Sequence, residues 1–79
     1  MEIQSIVSWN VNSIRKRADE IQVVIDKYDP TIICLQEIKV NERETLNALQ
    51  RYADTYKYIY VNPTKKKAGL FGTTVMSKI

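Results

Sequence analysis

Apolar positions along the chain change their spacing several times, and each change marks an element. Ile3 to Trp9 reads as a strand. Val11, Ile14, Ala18, Ile21, Ile25 and Tyr28 then follow at alternating three- and four-residue steps, the stripe of an amphipathic helix. Asn12 or Ser13 is placed to cap its start, and Asp29-Pro30 to stop it. Thr31 to Leu35 is a continuous apolar, β-branched run, the pattern of a strand covered on both faces. Asn41 with Glu44 three positions later predicts a capping box, opening a second helix with Leu46, Leu49, Tyr52 and Ala53 inward and an end near Asp54. Tyr56 to Val61 alternates with period two and reads as a third strand. Its three tyrosines are either core or a stacking platform. After Asn62-Pro63 and a lysine loop, Gly72 to Ile79 reads as a fourth strand antiparallel to the third. The sequence stops within that strand, which predicts an unpaired sheet edge and the front part of a larger fold.

The fold class is α/β, in the order strand, helix, strand, helix, strand, strand. No repeat, linker or low-complexity tract divides residues 1–79, so one unit is expected. A strand–helix–strand crossover is right-handed and makes its strands parallel, so Asn10 and Glu37, each at a strand's carboxyl end, face one edge of the sheet. Open α/β sheets place ligands there. A domain of this size buries only about 60–65% of its unfolded surface, which leaves a modest stability margin.

Cys34 has no second cysteine, which excludes a disulfide framework or a cysteine zinc site and makes it a small core residue in a reducing compartment. The apolar runs are only a few residues long and no basic-then-apolar leader follows Met1, so the reading is no membrane, not secreted, and cytoplasmic, nucleoid or nuclear. The net charge is +3, concentrated at Arg15-Lys16-Arg17 and Lys65-Lys66-Lys67. Such clusters fit a polyanion such as nucleic acid, or are solvated surface. Cations in a helix's first turns oppose its dipole, a local cost that phosphate contact would offset, as would Arg15–Asp19 and Lys16–Glu20 pairs.

Glu37 ends an apolar run, where an acid has no packing use, so it requires a partner, and a hard metal ion suits a carboxylate. The alternative is a surface acid at a strand end. Asn10 reads either as a neutral oxygen or hydrogen-bonding group beside such an ion, or as a turn residue.

Three segments in series, Ser8-Trp9-Asn10-Val11-Asn12-Ser13-Ile14-Arg15, Asp29 to Val40 with Leu35-Gln36-Glu37-Ile38-Lys39 at its centre, and Gly69 to Lys78, resemble the N-terminal part of exodeoxyribonuclease III and the apurinic/apyrimidinic endonucleases, in the endonuclease/exonuclease/phosphatase superfamily. The resemblance spans nearly all 79 residues. It implies the N-terminal portion of a four-layer α/β sandwich and Mg²⁺-dependent hydrolysis of DNA phosphodiesters at abasic sites or 3′ ends, with Mn²⁺ as an alternative metal. Glu37 and Asn10 match the catalytic metal-site glutamate and asparagine, and Asn12 a polar position beside them. Lys39, Phe71 and Gly72 match substrate-side positions: Lys39 to tune the carboxylate or meet a phosphate, unless it is simply a solvated lysine, Phe71 to stack, and Gly72 to let backbone approach the strand; Arg15, from the basic cluster, is a substrate-binding candidate on its charge alone. Ser13 stands where many relatives have glycine, and Leu70 where many have a polar or aromatic residue.

Relatives carry further aspartate, asparagine and histidine site residues in a C-terminal portion, and this sequence contains no histidine. The expectation is a DNA-directed chain that is inactive or very weakly active alone and completed by the C-terminal part of the fold or by a second chain. A non-catalytic nucleic-acid-binding module and a structural piece associating through an open sheet edge are the other two readings.

Overall fold

The computed structural model describes residues 2–63 and 72–79. Its order is β1 (Ile6–Asn10), α1 (Ala18–Tyr28), β2 (Ile32–Gln36), α2 (Glu42–Leu49) with a 3₁₀ turn at Gln50–Tyr52, β3 (Tyr58–Pro63) and β4 (Gly72–Ser77). This is the strand, helix, strand, helix, strand, strand sequence that the periodicities predict. Strand order in the sheet is β1-β2-β4-β3, with β1 parallel to β2 and β4 antiparallel to both neighbours. The predicted edge position of β4 is therefore corrected: β4 is interior, hydrogen-bonded on both sides, and the edges are β1 and β3.

The core lies on one face of the sheet. Ile33 and Leu35 of β2 and Met76 of β4 join Ile21 of α1 and Leu49 of α2 in one buried cluster, with Trp9, Ile59 and Val61 packed against it. Tyr56 is fully buried just before β3, and its hydroxyl donates to the Pro30 carbonyl at 2.5 Å. The opposite face is not covered by the helices. There the register sets Ile6, Ile32, Ser77 and Tyr58 in one row across the four strands, and Ser8, Cys34, Val75 and Tyr60 in the next. Ile6, Tyr58 and Tyr60 are exposed. So β2 is not covered on both faces: its burial alternates, and Cys34 is half-buried on the open side rather than a core residue. Of the three tyrosines, Tyr56 is core, while Tyr58 and Tyr60 are exposed on the open face.

Helix α1 begins at Ala18, later than the apolar stripe suggests. Val11 and Ile14 are buried as predicted, yet they reach the core from an irregular segment, because Asn12 (φ 47°) and Ser13 (φ 91°) are left-handed and cannot join a right-handed helix. Neither is the cap; that position is Arg17, which makes no side-chain capping bond. Asp29 ends the helix in the left-handed conformation, its N–H donating to the Ile25 carbonyl at 2.9 Å. Tyr28, predicted to face inward, is exposed with the Lys27 ammonium 5.2 Å from its ring centre.

The second helix starts as predicted, the Asn41 side chain accepting from the Glu44 N–H at 2.8 Å. Its inward face differs: Thr45, Leu49 and Tyr52 are buried, whereas Leu46 and Ala53 are exposed. Thr45 satisfies its hydroxyl by donating to the Asn41 carbonyl at 2.8 Å, which lets a polar residue occupy the core side.

Candidate functional site

The parallel pairing of β1 and β2 brings Asn10 and Gln36 side by side at the carboxyl edge of the sheet, and Glu37 is the next residue. Beyond the strands the two loops stay zipped together. The Val11 N–H donates to the Gln36 carbonyl (3.0 Å), that of Ser13 to the Glu37 carbonyl (2.8 Å) and that of Ile14 to the Ile38 carbonyl (3.0 Å). The Ile38 N–H donates in turn to the Gly72 carbonyl at 3.2 Å, which ties the opening of β4 to the same edge. This ladder requires unusual backbone: Asn12, Ser13, Glu37 (φ 54°) and Lys39 (φ 59°) are all left-handed, and Gly72 sits at φ 112°.

Left-handed backbone at non-glycine residues costs on the order of 1–3 kcal/mol each and persists where surrounding contacts enforce it. Ser13 has the largest positive φ among them and, unlike asparagine, gains little local compensation. Ser13→Gly is expected to raise the unfolding free energy by about 1 kcal/mol, the strain relieved less the extra entropy of glycine in the unfolded chain. A urea midpoint that falls in this variant would show that Ser13 is not strained.

The side chains on this scaffold form one connected group. The Asn10 amide nitrogen donates to a Glu37 carboxylate oxygen, and the Asn10 amide oxygen accepts from the Asn12 N–H at 3.2 Å. Lys39 donates to the Asn12 side-chain oxygen, and its ammonium lies 3.9 Å from the other Glu37 oxygen. Glu37 and Lys39 keep about a third of their side-chain surface open, 35% and 30%, so the carboxylate is held by protein on one side and reachable from solvent on the other. Such a site can present a fixed negative oxygen pair to a cation and a fixed ammonium to an anion.

Arg15 is not part of this group. Its guanidinium pairs with Glu44 of α2 at 2.6 Å, and both side chains are open to solvent. Arg17 pairs with Glu20 at 3.6 Å, so the cations ahead of α1 are matched differently from the predicted Arg15–Asp19 and Lys16–Glu20 pairs. Exposed pairs of this kind contribute about 0–1 kcal/mol. Gly72 adjoins the site through its carbonyl, while Phe71 and the Lys65–Lys67 loop lie outside the described residues. Sequence reasoning does not single out Asn12 as the acceptor for Lys39, nor Glu44 as the partner of Arg15. Both contacts join residues nearly thirty positions apart, and no local spacing signals them. Among the described residues no group of three or more histidine, cysteine or acidic side chains converges on one point, and no helix is long and apolar enough to cross a membrane.

Residues 7–79 match the Endonuclease/Exonuclease/phosphatase family. The DNA-(apurinic or apyrimidinic site) endonuclease 2 of Xenopus laevis is 34% identical over 73 residues, which is 92% of this chain and 14% of that protein. Exodeoxyribonuclease III of Haemophilus influenzae is 47% identical over 34 residues, 43% of this chain and 13% of that protein. The structure of an AP endonuclease from Archaeoglobus fulgidus superposes with a TM-score of 0.74 at 30% identity, covering 92% of this chain and 26% of that one. The chain thus spans about one seventh of these curated relatives and about a quarter of the solved one. Taken with the strand order and the Asn10–Glu37 edge, these matches place the chain in the endonuclease/exonuclease/phosphatase family.

Proposed function

We propose that the chain forms the Mg²⁺-binding, phosphate-facing side of a DNA-repair nuclease site, acting on duplex DNA at abasic sites or 3′ ends in the complete protein. The observation that supports this most directly is the Asn10–Glu37–Lys39–Asn12 group at the carboxyl edge of β1 and β2, in a chain whose relatives include proteins named as exodeoxyribonuclease and abasic-site endonuclease.

The residues fit the metal. Mg²⁺ is commonly held by one or two carboxylates with water and phosphate oxygens completing its shell, so one solvent-reachable carboxylate is a sufficient protein anchor. Glu37 would hold the ion, with the Asn10 side chain beside it. When bound, Mg²⁺ supplies charge stabilisation at the phosphate. The chain's own residues do the rest: Asn10 fixes the rotation of the Glu37 carboxylate through its amide nitrogen, and Lys39 holds a positive charge at the rim where a phosphate oxygen arrives. Asn12 keeps that ammonium in place. Hydrolysis also needs a water nucleophile positioned and deprotonated, and no described residue near Glu37 is a free base for it. The chain alone is accordingly expected not to cleave.

The test is binding and cleavage of an end-labelled duplex carrying one abasic site, with the wild-type chain and Glu37→Ala. Mg²⁺ is expected to strengthen duplex binding by the wild type, and Glu37→Ala to weaken the Mg²⁺ response at least tenfold, the scale of losing a metal-site group. DNA binding indifferent to both Mg²⁺ and Glu37 would instead favour a non-catalytic binding module. Cleavage abolished by chelator and by Glu37→Ala would place a working base within residues 1–79.

A further inference from the structure

The ladder that zips the two site loops together ends in a side-chain rung. The Ser13 N–H meets the Glu37 carbonyl and the Ile14 N–H the Ile38 carbonyl, and the next residue, Arg15, reaches across to Glu44 on α2, Nη2 to Oε2 at 2.6 Å. The two partners depend on each other unequally. Glu44 lies in the first turn of α2, where the helix dipole favours a carboxylate with or without a cation beside it. Arg15 belongs to the Arg15-Lys16-Arg17 run, where neighbouring positive charges favour any anion that arrives. Its side chain is 73% exposed, so the pair is weakly held, and a guanidinium fork matches two oxygens of a phosphate at once. Because α2 belongs to the helical layer, which faces outward in a four-layer sandwich, a second sheet packed on the open face does not cover the pair.

We infer that Glu44 is an internal stand-in for a nucleic-acid phosphate: it holds the Arg15 guanidinium in the free protein, and a phosphate flanking the scissile bond displaces it when the duplex docks. The inference rests on the reading of Glu37 as the site that faces DNA phosphate, and it makes Glu44 a positioning residue that acts through Arg15 and weakens binding. Arg15 follows Ser13 by two residues, a span of at most about 7 Å. A strand running from Glu37 towards α2, with one phosphate per about 3.4 Å of axis, brings a flanking phosphate within reach of the Arg15 side chain. An anion that touches Arg15 alone must compete with Glu44 unaided. A duplex already held near Glu37 and Lys39 presents its flanking phosphate at high local concentration, so the exchange favours DNA seated at the site.

The experiment measures anisotropy of a labelled duplex containing an abasic-site analogue, titrated with the 79-residue chain at several KCl concentrations in Mg²⁺. Glu44→Gln is expected to bind about threefold to fivefold more tightly than wild type, the upper end of what an exposed ion pair is worth. The slope of log K against log salt should stay unchanged, because the same phosphates are neutralised. Arg15→Ala should lower that slope by about one. In the Arg15→Ala background Glu44→Gln should gain less than about twofold, since no guanidinium is left to release. Circular dichroism confirms the fold of each variant. A gain from Glu44→Gln that is as large or larger without Arg15 shows plain charge repulsion and overturns the exchange. Unchanged or weaker binding by Glu44→Gln, or an unchanged slope in Arg15→Ala, also overturns it while leaving the Glu37 reading intact. A wild-type chain with no salt-sensitive DNA binding removes the DNA reading and the exchange together.

Discussion

Leu35→Ala is expected to remove a large fraction of the chain's folding stability, about 2–5 kcal/mol. Leu35 is fully buried near the carboxyl end of β2, opposite Trp9 on one side and Thr74 on the other, on the face that packs against the helices. Truncating a buried leucine to alanine costs about 2–5 kcal/mol, through lost transfer free energy and the cavity left behind. A domain of 79 residues has a total margin of only about 4–12 kcal/mol. Urea unfolding followed by far-ultraviolet circular dichroism reads the effect directly. A midpoint within experimental error of wild type would mean that the core collapses around the missing methyl groups and that Leu35 does not organise the sheet.

Alkaline pH is the second strong lever. Burial, with a smaller contribution from Asp29, pushes the Tyr56 phenol up to about 12, and burial also raises the phenol of Tyr52. The folded state therefore holds the Tyr56 proton more tightly than the unfolded chain, whose tyrosines titrate near 10. Its contribution to stability is fully present below pH 10 and is lost as pH rises towards 12, amounting to roughly 2–3 kcal/mol over that window. Tyr56→Phe is expected to cost about 1–3 kcal/mol at pH 7, because the Pro30 carbonyl loses its buried donor. The variant lacks the ionisable group, so its stability should fall less steeply than that of wild type between pH 10 and 12. Urea midpoints of the two proteins measured across that range should converge or cross; parallel curves would show that Tyr56 does not carry the linkage.

The parts of this fold legible in the sequence are those set by local spacing. Strand, helix, strand up to Gln36 forces parallel pairing, and parallel pairing brings Asn10 to the strand end that Glu37 follows, so the centre of the site could be read from order alone. The start of α1 was hidden because Val11 and Ile14 have helical spacing and are buried, while the left-handed Asn12 and Ser13 between them are imposed by hydrogen bonds to Glu37 and Ile38, residues distant in sequence. The position of β4 was hidden for a related reason. Period-two alternation identifies a strand but not its partners, and Met76 looks the same at an edge as in the middle. Arg15 was legible as a cation, but its pairing with Glu44 depends on how α2 packs beside the loop.

The interior place of β4 governs the order in which the molecule can assemble. The last of the four described strands joins β3 to β2, with Ser77 opposite Ile32 across a separation of more than forty residues. Until it inserts, β1 with β2 and β3 alone are two disconnected pieces, each lacking its central hydrogen-bond partner. Closing so long a loop is entropically demanding and slows folding. On a ribosome extending the chain vectorially, the early strands therefore wait, unpaired on their inner sides, for residues 72–77 to emerge.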